Sequence, residues 1–203
     1  MPRCTILSNA LPPEREESAL FANAVPVASD WFGAPLPFSL SFAFALSPAA
    51  LYFGASIRSA TSSRPGTGSG QFADRLWEHD VFELFLASDN GTGYQEFNLA
   101  PNGAWWTEAF ESYRKPGHRS TPFDPPNSIG ARAENGETRV WMSYPRAGLA
   151  VPFSGGARSH ANLCAILGKD NRTYVSYHHP TAQKPDFHLD ACFGALEIVR
   201  RDS

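Results

Sequence analysis

The chain has 203 residues, 42% hydrophobic and 13% aromatic, which is material for one core-forming domain that needs no disulfide or metal staple. Its 17 basic residues against 20 acidic ones give a formal net charge of −3 with no basic cluster; this argues against a nucleic-acid or anionic-membrane partner and leaves a neutral or weakly polar small molecule. The three cysteines, Cys4, Cys164 and Cys192, are odd in number and widely spaced, unlike a disulfide framework or a zinc motif, and read as free thiols of a reducing compartment.

In chain order, the opening MPRCTILSNALPPEREES has no uninterrupted apolar stretch, so neither an export signal nor a membrane span is read and a cytoplasmic location is expected. Residues 1–36 are rich in proline and alanine and read as an irregular segment packed on or beside the domain, with one short helix at Ser18 to Ala24 opened by the charged run Glu14 to Glu17. From Phe38 to Leu46 large apolar residues alternate with Ser and Ala, as in a strand with a strongly apolar face, and Leu51 to Ile57 reads as its partner. The stretch ATSSRPGTGSG at 60–70 is a flexible loop, because it lacks the terminal Gly-Lys-Ser/Thr of a phosphate cradle and no helical pattern follows.

Trp77 to Trp106 combines a period-two pattern with two turn signals. Phe82, Leu84 and Leu86 alternate with Val81, Glu83 and Phe85; a polar loop containing Asn90-Gly91 ends that strand, and Tyr94 to Leu99 forms the next. Pairing Ala87 with Tyr94 sets Leu84 against Phe97 and Phe82 against Leu99 on a core face. Glu83 then faces Asn98, and Phe85 faces Glu96, on the opposite side. A two-residue Asn102-Gly103 turn would return the chain with Trp106 opposite Leu99, in the core, and Trp105 on the same face as Glu83, Glu96 and Asn98. That face reads either as a solvated or loop-covered surface, or as a ligand surface where Trp105 stacks and the acids and amide take hydrogen bonds.

Residues 111–127, interrupted by Lys115-Pro116-Gly117 and Asp124-Pro125-Pro126, read as a long loop. Ile129 to Ala133 and Thr138 to Tyr144 form a hairpin about Asn135-Gly136 that puts Val140, Met142 and Tyr144 in the core and turns Trp141 away from it. Leu163 to Leu167 pairs with Thr173 to His178, and Ala195 to Val199 closes the chain. Many short strands with frequent turn signals and almost no helical periodicity predict an all-β fold: a single antiparallel β-sandwich over residues 1–203.

Two motifs carry a resemblance. Trp77-x-x-Asp80-Val81-x-Glu83-x-Phe85 followed by Tyr94-x-Glu96-Phe97-Asn98-x-x-Pro101-x-Gly103 resembles the family 9 carbohydrate-binding modules and the wider DOMON-like superfamily. Tyr144-Pro145-x-x-x-Leu149 resembles that family's Ile-Pro-x-x-x-Leu segment. His179-Pro180, Pro185-Asp186-Phe187-His188 and Phe193 resemble the closing segment of stand-alone bacterial DOMON-like members. The resemblance runs from about Phe38 to the C-terminus. It implies a jelly-roll-like sandwich that binds sugars in some members and haem in others and has no catalysis of its own. The family's sugar-binding members are usually secreted modules attached to glycoside hydrolases, whereas neither an export signal nor an enzyme partner is expected from these residues; Trp141 also stands near a position where the family often carries an acid.

The favoured reading is a non-catalytic module that binds a sugar or sugar derivative through Trp105, Glu83, Glu96, Asn98 and Tyr94, with Trp141, His179 and His188 as further contacts and no cofactor or metal. Haem is one alternative. It needs axial ligands, for which the chain offers Met142, placed in the core, or His178 or His179 with His188. A divalent metal could be held by His188 with Asp186 and one of the adjacent His178 and His179, which point to opposite faces of a strand. A protein-protein adaptor using the exposed aromatics is a third alternative, and a glycoside-acting enzyme using Glu83 and Glu96 as paired acid and base is a fourth.

Overall fold

The computed structural model describes residues 2–156, 158–178, 180 and 183–201. Its strands are β1 (Arg3–Leu7), β2 (Val25–Ser29), β3 (Pro35–Leu46), β4 (Ala50–Arg58), β5 (Val81–Ala87), β6 (Tyr94–Leu99), β7 (Trp105–Ser112), β8 (Lys115–Pro116), β9 (Ser128–Glu134), β10 (Glu137–Pro145), β11 (His160–Leu167), β12 (Thr173–Ser176), β13 (Gly194–Ala195) and β14 (Glu197–Arg201), with one short helix, α1 (Glu16–Phe21). They form two seven-stranded sheets. The first runs β14-β1-β3-β4-β10-β9, with β2 on the remaining length of β3; the second runs β12-β11-β5-β6-β7-β8, with β13 beside β11. The fold is a β-sandwich, as expected.

One core lies between the sheets. Leu40, Phe42, Phe44 and Leu46 of β3, Leu51, Phe53 and Ile57 of β4 and Val140, Met142 and Tyr144 of β10 meet Phe82, Leu84, Leu86, Phe97 and Leu99 of the second sheet. Alternation dictates this division, because each large residue of β3 is separated from the next by a Ser or Ala that faces outward. The small outward residues Ala43 and Ala45 leave room for α1, whose Leu20 packs on them beside Tyr52. At about 1.5–3 kcal/mol for each large side chain taken from water, this core is the dominant stabilising term.

The pairing within β5 and β6 has the register expected, with Ala87 opposite Tyr94, Glu83 opposite Asn98 and Phe82 opposite Leu99. The β9–β10 hairpin is also as expected, turning on Asn135 and Gly136, both at positive φ (52° and 74°).

The N-terminal segment differs from expectation. It is not irregular: β1 inserts in parallel between β14 and β3, and β2 pairs antiparallel with the first part of β3. Val25-Pro26-Val27 is a strand despite its proline because it lies on a free edge, where a missing N–H removes no ladder bond. The helix begins two residues before Ser18 and ends at Phe21 rather than Ala24.

Asp80, the residue that precedes β5, fastens two loops to the second sheet. Its carboxylate accepts the Ser62 N–H at 2.6 Å and the Gly168 N–H at 2.6 Å. Its place in the Trp77-to-Phe85 motif is therefore structural.

Candidate functional site

Strand alternation sets a ladder of side chains on the outer face of the second sheet. Across β12, β11, β5, β6 and β7, one row reads Ser176, Cys164, Glu83, Asn98, Trp106; the next reads Asn162, Phe85, Glu96, Glu108. Tyr94 and Phe110 make a third, their rings stacked at 4.8 Å and 12°. A pocket of about 530 Å³ opens over these rows. Its walls are Trp77, from the 3-10 turn Leu76–Glu78 before β5, Arg114 and Pro116 from the β7–β8 hairpin, and Asp186, Phe187 and His188 from the segment before β13.

The two tryptophans of β7 are exchanged relative to expectation. Leu99 pairs with Trp105, and Asn98 with Trp106. Trp105 is 4% exposed in the inter-sheet core, where it meets Tyr144 and donates its Nε1–H to the Gly70 carbonyl at 3.2 Å. Trp106 stands on the pocket face instead. The cause is the turn. A two-residue loop would require residue 101 to donate its N–H to Ala104, and Pro101 has none. The chain turns over three residues, Pro101-Asn102-Gly103, closed by the Ala100 N–H to the Ala104 carbonyl at 2.8 Å and by the Gly103 N–H to the Ala100 carbonyl at 2.8 Å. Pro at the second turn position and Gly103 at φ 81° suit a type I turn followed by a left-handed glycine.

Trp106 meets Trp77 edge to face, with centroids 5.7 Å apart and planes at 69°. Trp77 is 38% exposed, so the pair forms an aromatic corner open to solvent. Below it, Glu83, Glu96 and Asn98 are each less than 5% exposed. Asn98 donates its Nδ2 to Glu96 Oε1 at 3.0 Å, while its buried Oδ1 has no hydrogen-bond partner among the described residues.

Burial sets the protonation states. Desolvation, followed by the proximity of Glu96, pushes the Glu83 carboxyl well above its usual range. Desolvation raises Glu96 to about 7, with Glu108 adding to the rise while the Asn98 bond and Arg114 oppose it. His188 is pushed down to about 4, first by burial and then by Arg114, so it is neutral at pH 7 and its Nε2, 3.7 Å from Glu96 Oε2, forms no ion pair there. Burial alone would raise Asp186, but hydrogen bonds from Tyr113 and Arg114 hold it below the usual carboxylate value.

The pocket thus brings together Glu83, Glu96 and His188 of the expected residues, with Asn98 and Tyr94 buried on the same sheet face beside them. It does not include Trp105, nor Trp141. Trp141 lies on the outer face of the first sheet, edge-on to Phe21 at 6.4 Å and flat over Gly130, where an added Cβ would fall 2.1 Å from the indole. It covers that sheet and contacts no part of the pocket. His179 lies outside the described residues. Among the described residues, His188 and His178 do not converge: His188 binds Tyr94, whereas His178 packs against Gly194. The residues that sequence reasoning missed are Trp106, Trp77, Glu108 and Arg114. Trp77 was visible as a motif member, and the lost N–H of Pro101 was the signal that could have found Trp106.

No family model and no curated protein matches the chain. Among solved structures it is similar to a candidate carbohydrate-binding protein from Bacteroides uniformis, with a TM-score of 0.73 and 15% identity over 98% of this chain and 100% of that one. It is also similar to a family 9 carbohydrate-binding module from Caldicellulosiruptor kristjanssonii solved with glucose, with a TM-score of 0.62, 14% identity and coverage of 98% and 97%. The same holds for that organism's module with cellotriose, with a TM-score of 0.62, 13% identity and coverage of 98% and 95%. At these identities the likeness is one of fold.

Proposed function

We propose that this protein is a non-catalytic binding module that takes a carbohydrate or sugar derivative into the pocket over the second sheet. The observation that carries this reading is the meeting of indole faces with buried acceptors in one pocket: Trp106 and Trp77 above, Glu83 and Glu96 below, with the unpartnered Asn98 Oδ1 buried on the same sheet face. A pyranose matches both, because its C–H face packs on a ring while its hydroxyls donate to carboxylates and amides. The rings are too close for a sugar to lie between them, since a slab between parallel rings needs about 7–8 Å and their centroids are 5.7 Å apart. The sugar stacks on one ring and abuts the other. The glucose and cellotriose bound by modules of the same fold support this choice of ligand class.

Glycoside hydrolysis is the competing reading, and the paired carboxyls with raised pKa values are what favour it. Their position opposes it. Glu83 and Glu96 sit side by side on adjacent strands of one floor and approach a ligand from one side, whereas acid and base or nucleophile must flank the scissile bond. Calorimetric titration with glucose, cello-oligosaccharides and amino sugars should give saturable binding, and a chromogenic glycoside panel should give no turnover. Heats of dilution alone across the whole sugar panel would defeat the binding reading, and turnover lost in Glu83→Gln would defeat the non-catalytic one.

A further inference from the structure

Resting on that reading, we infer that the preferred ligand carries a protonated amine: an amino sugar whose ammonium is held among Glu83, Glu96 and Glu108 below the Trp77–Trp106 corner.

The pocket is rich in acceptors and short of positive charge. Glu96 and Glu108 are directly opposite on adjacent strands, a like-charge pairing that destabilises a sheet unless something positive lies between. Glu83 is the diagonal neighbour of Glu96 on the same face. The charged side chains that face this cluster are few. Arg114 is the pocket's strong cation among the described residues, and its guanidinium is engaged by Asp186 at 2.8 Å, so the two cancel. His188 is neutral at pH 7. Among the described residues, three carboxyls thus share one cation that is already paired, and burial holds Glu83 and Glu96 toward their neutral forms.

A second, independent feature asks for a donor. Asn98 is fully buried, and its side chain lies on the pocket face between Glu83 and Trp106, yet its Oδ1 has no partner among the described residues. An ammonium supplies three donors and no acceptor, which suits an orphaned carbonyl oxygen beside carboxylates. The aromatic corner adds to the preference, because cations are attracted to indole faces, and indole is the best aromatic partner for one. A neutral hydroxyl satisfies the same geometry but gives nothing for ionising these carboxyls, whereas an ammonium stabilises their charged forms.

The experiment compares glucose, glucosamine, N-acetylglucosamine and cyclohexylamine by titration calorimetry near pH 7, where ammonium forms are present and Glu96 is partly ionised. Glucosamine should bind at least about tenfold more tightly than glucose or N-acetylglucosamine, as expected of a charge-assisted contact. Glu108→Gln, a change at a half-buried position, should reduce the glucosamine-to-glucose affinity ratio, with thermal unfolding of the variant confirming the fold. Glu96→Gln should do the same if Glu108→Gln unfolds. Glucose or N-acetylglucosamine binding as tightly as glucosamine would overturn this inference and leave the sugar reading intact. Cyclohexylamine matching glucosamine, or no sugar binding at all, would overturn both.

Discussion

Replacing each of the two adjacent tryptophans by alanine should separate folding from binding. Trp105 is 4% exposed and packed among Leu99, Tyr144 and Phe72, so its removal leaves a cavity between the sheets that the flanking strands cannot close. Truncations of this kind cost about 3–5 kcal/mol, and loss of the hydrogen bond to the Gly70 carbonyl adds roughly 1 kcal/mol. Against a total stability of about 5–15 kcal/mol, Trp105→Ala should lower the midpoint of unfolding by roughly 10 °C or more. Trp106→Ala removes a half-buried ring that meets the exposed Trp77 and packs at the margin of two buried clusters, and should cost less, about 1–2 kcal/mol of stability. Its effect should fall on the ligand, with affinity reduced by about 5- to 150-fold, the range for central aromatic contacts. Urea denaturation followed by circular dichroism, beside titration of both variants with the tightest sugar found, makes the comparison. If Trp106→Ala proved the more destabilising of the two, the three-residue turn and the whole assignment of the pocket face would be wrong.

Three further outcomes are expected. Because the folded-state pKa values of Glu83 and Glu96 are raised, their neutral forms favour the fold. The stability they allow is full below the unfolded carboxyl value of about 4.3 and is lost as pH rises through the folded values. The shift of Glu96 to about 7 corresponds to about 3 kcal/mol at 1.36 kcal/mol per unit. The Glu83→Gln/Glu96→Gln protein should therefore match the wild type near pH 4 and exceed it by a few kcal/mol near pH 8, with urea midpoints across that range as the measure; a gap independent of pH would contradict the burial argument. Trp141→Ala should leave sugar affinity unchanged, and Gly130→Ala should cost about 1–3 kcal/mol by forcing the indole off the sheet; a loss of affinity in Trp141→Ala would return it to the site. Cys4, Cys164 and Cys192 are buried free thiols, and burial pushes Cys4 and Cys192 up to about 12 and Cys164 well above its usual value; all three should resist thiol reagents in the native state and count fully after unfolding without reductant.

The sandwich was legible wherever the determinant was local. Alternation from Phe82 to Leu86 and the Asn90-Gly91 loop together fix the β5–β6 register, because a slip of one residue would expose every core side chain of that strand. Asn135-Gly136 fixes β9 against β10 in the same way. The edge pairing of β1 with β14 was not legible. Its partners are separated by nearly the whole chain, and a five-residue strand carries no local record of what it pairs with. The Trp105–Trp106 exchange lies between these cases: the sequence contained the deciding fact, since Pro101 cannot donate the bond that a two-residue turn requires.

The pocket wall opposite the sheet was out of reach of pattern reasoning because it forms a circuit of hydrogen bonds between distant segments. Arg114, in a left-handed turn at φ 51°, donates its backbone N–H to the Tyr94 hydroxyl at 3.1 Å. That hydroxyl is hydrogen-bonded in turn to His188 Nδ1 at 2.7 Å. Asp186 closes the circuit, accepting from Tyr113 at 2.5 Å, from the Arg114 guanidinium at 2.8 Å and from the His188 N–H at 3.2 Å. The circuit fixes the ring's orientation, with Nδ1 on the Tyr94 hydroxyl and Nε2 toward Glu96 Oε2 at 3.7 Å. It also commits the pocket's strong cation to Asp186. Asp186-Phe187-His188 therefore acts as a clamp on Tyr94 and Arg114, and the carboxyls of the floor face a cation already engaged elsewhere.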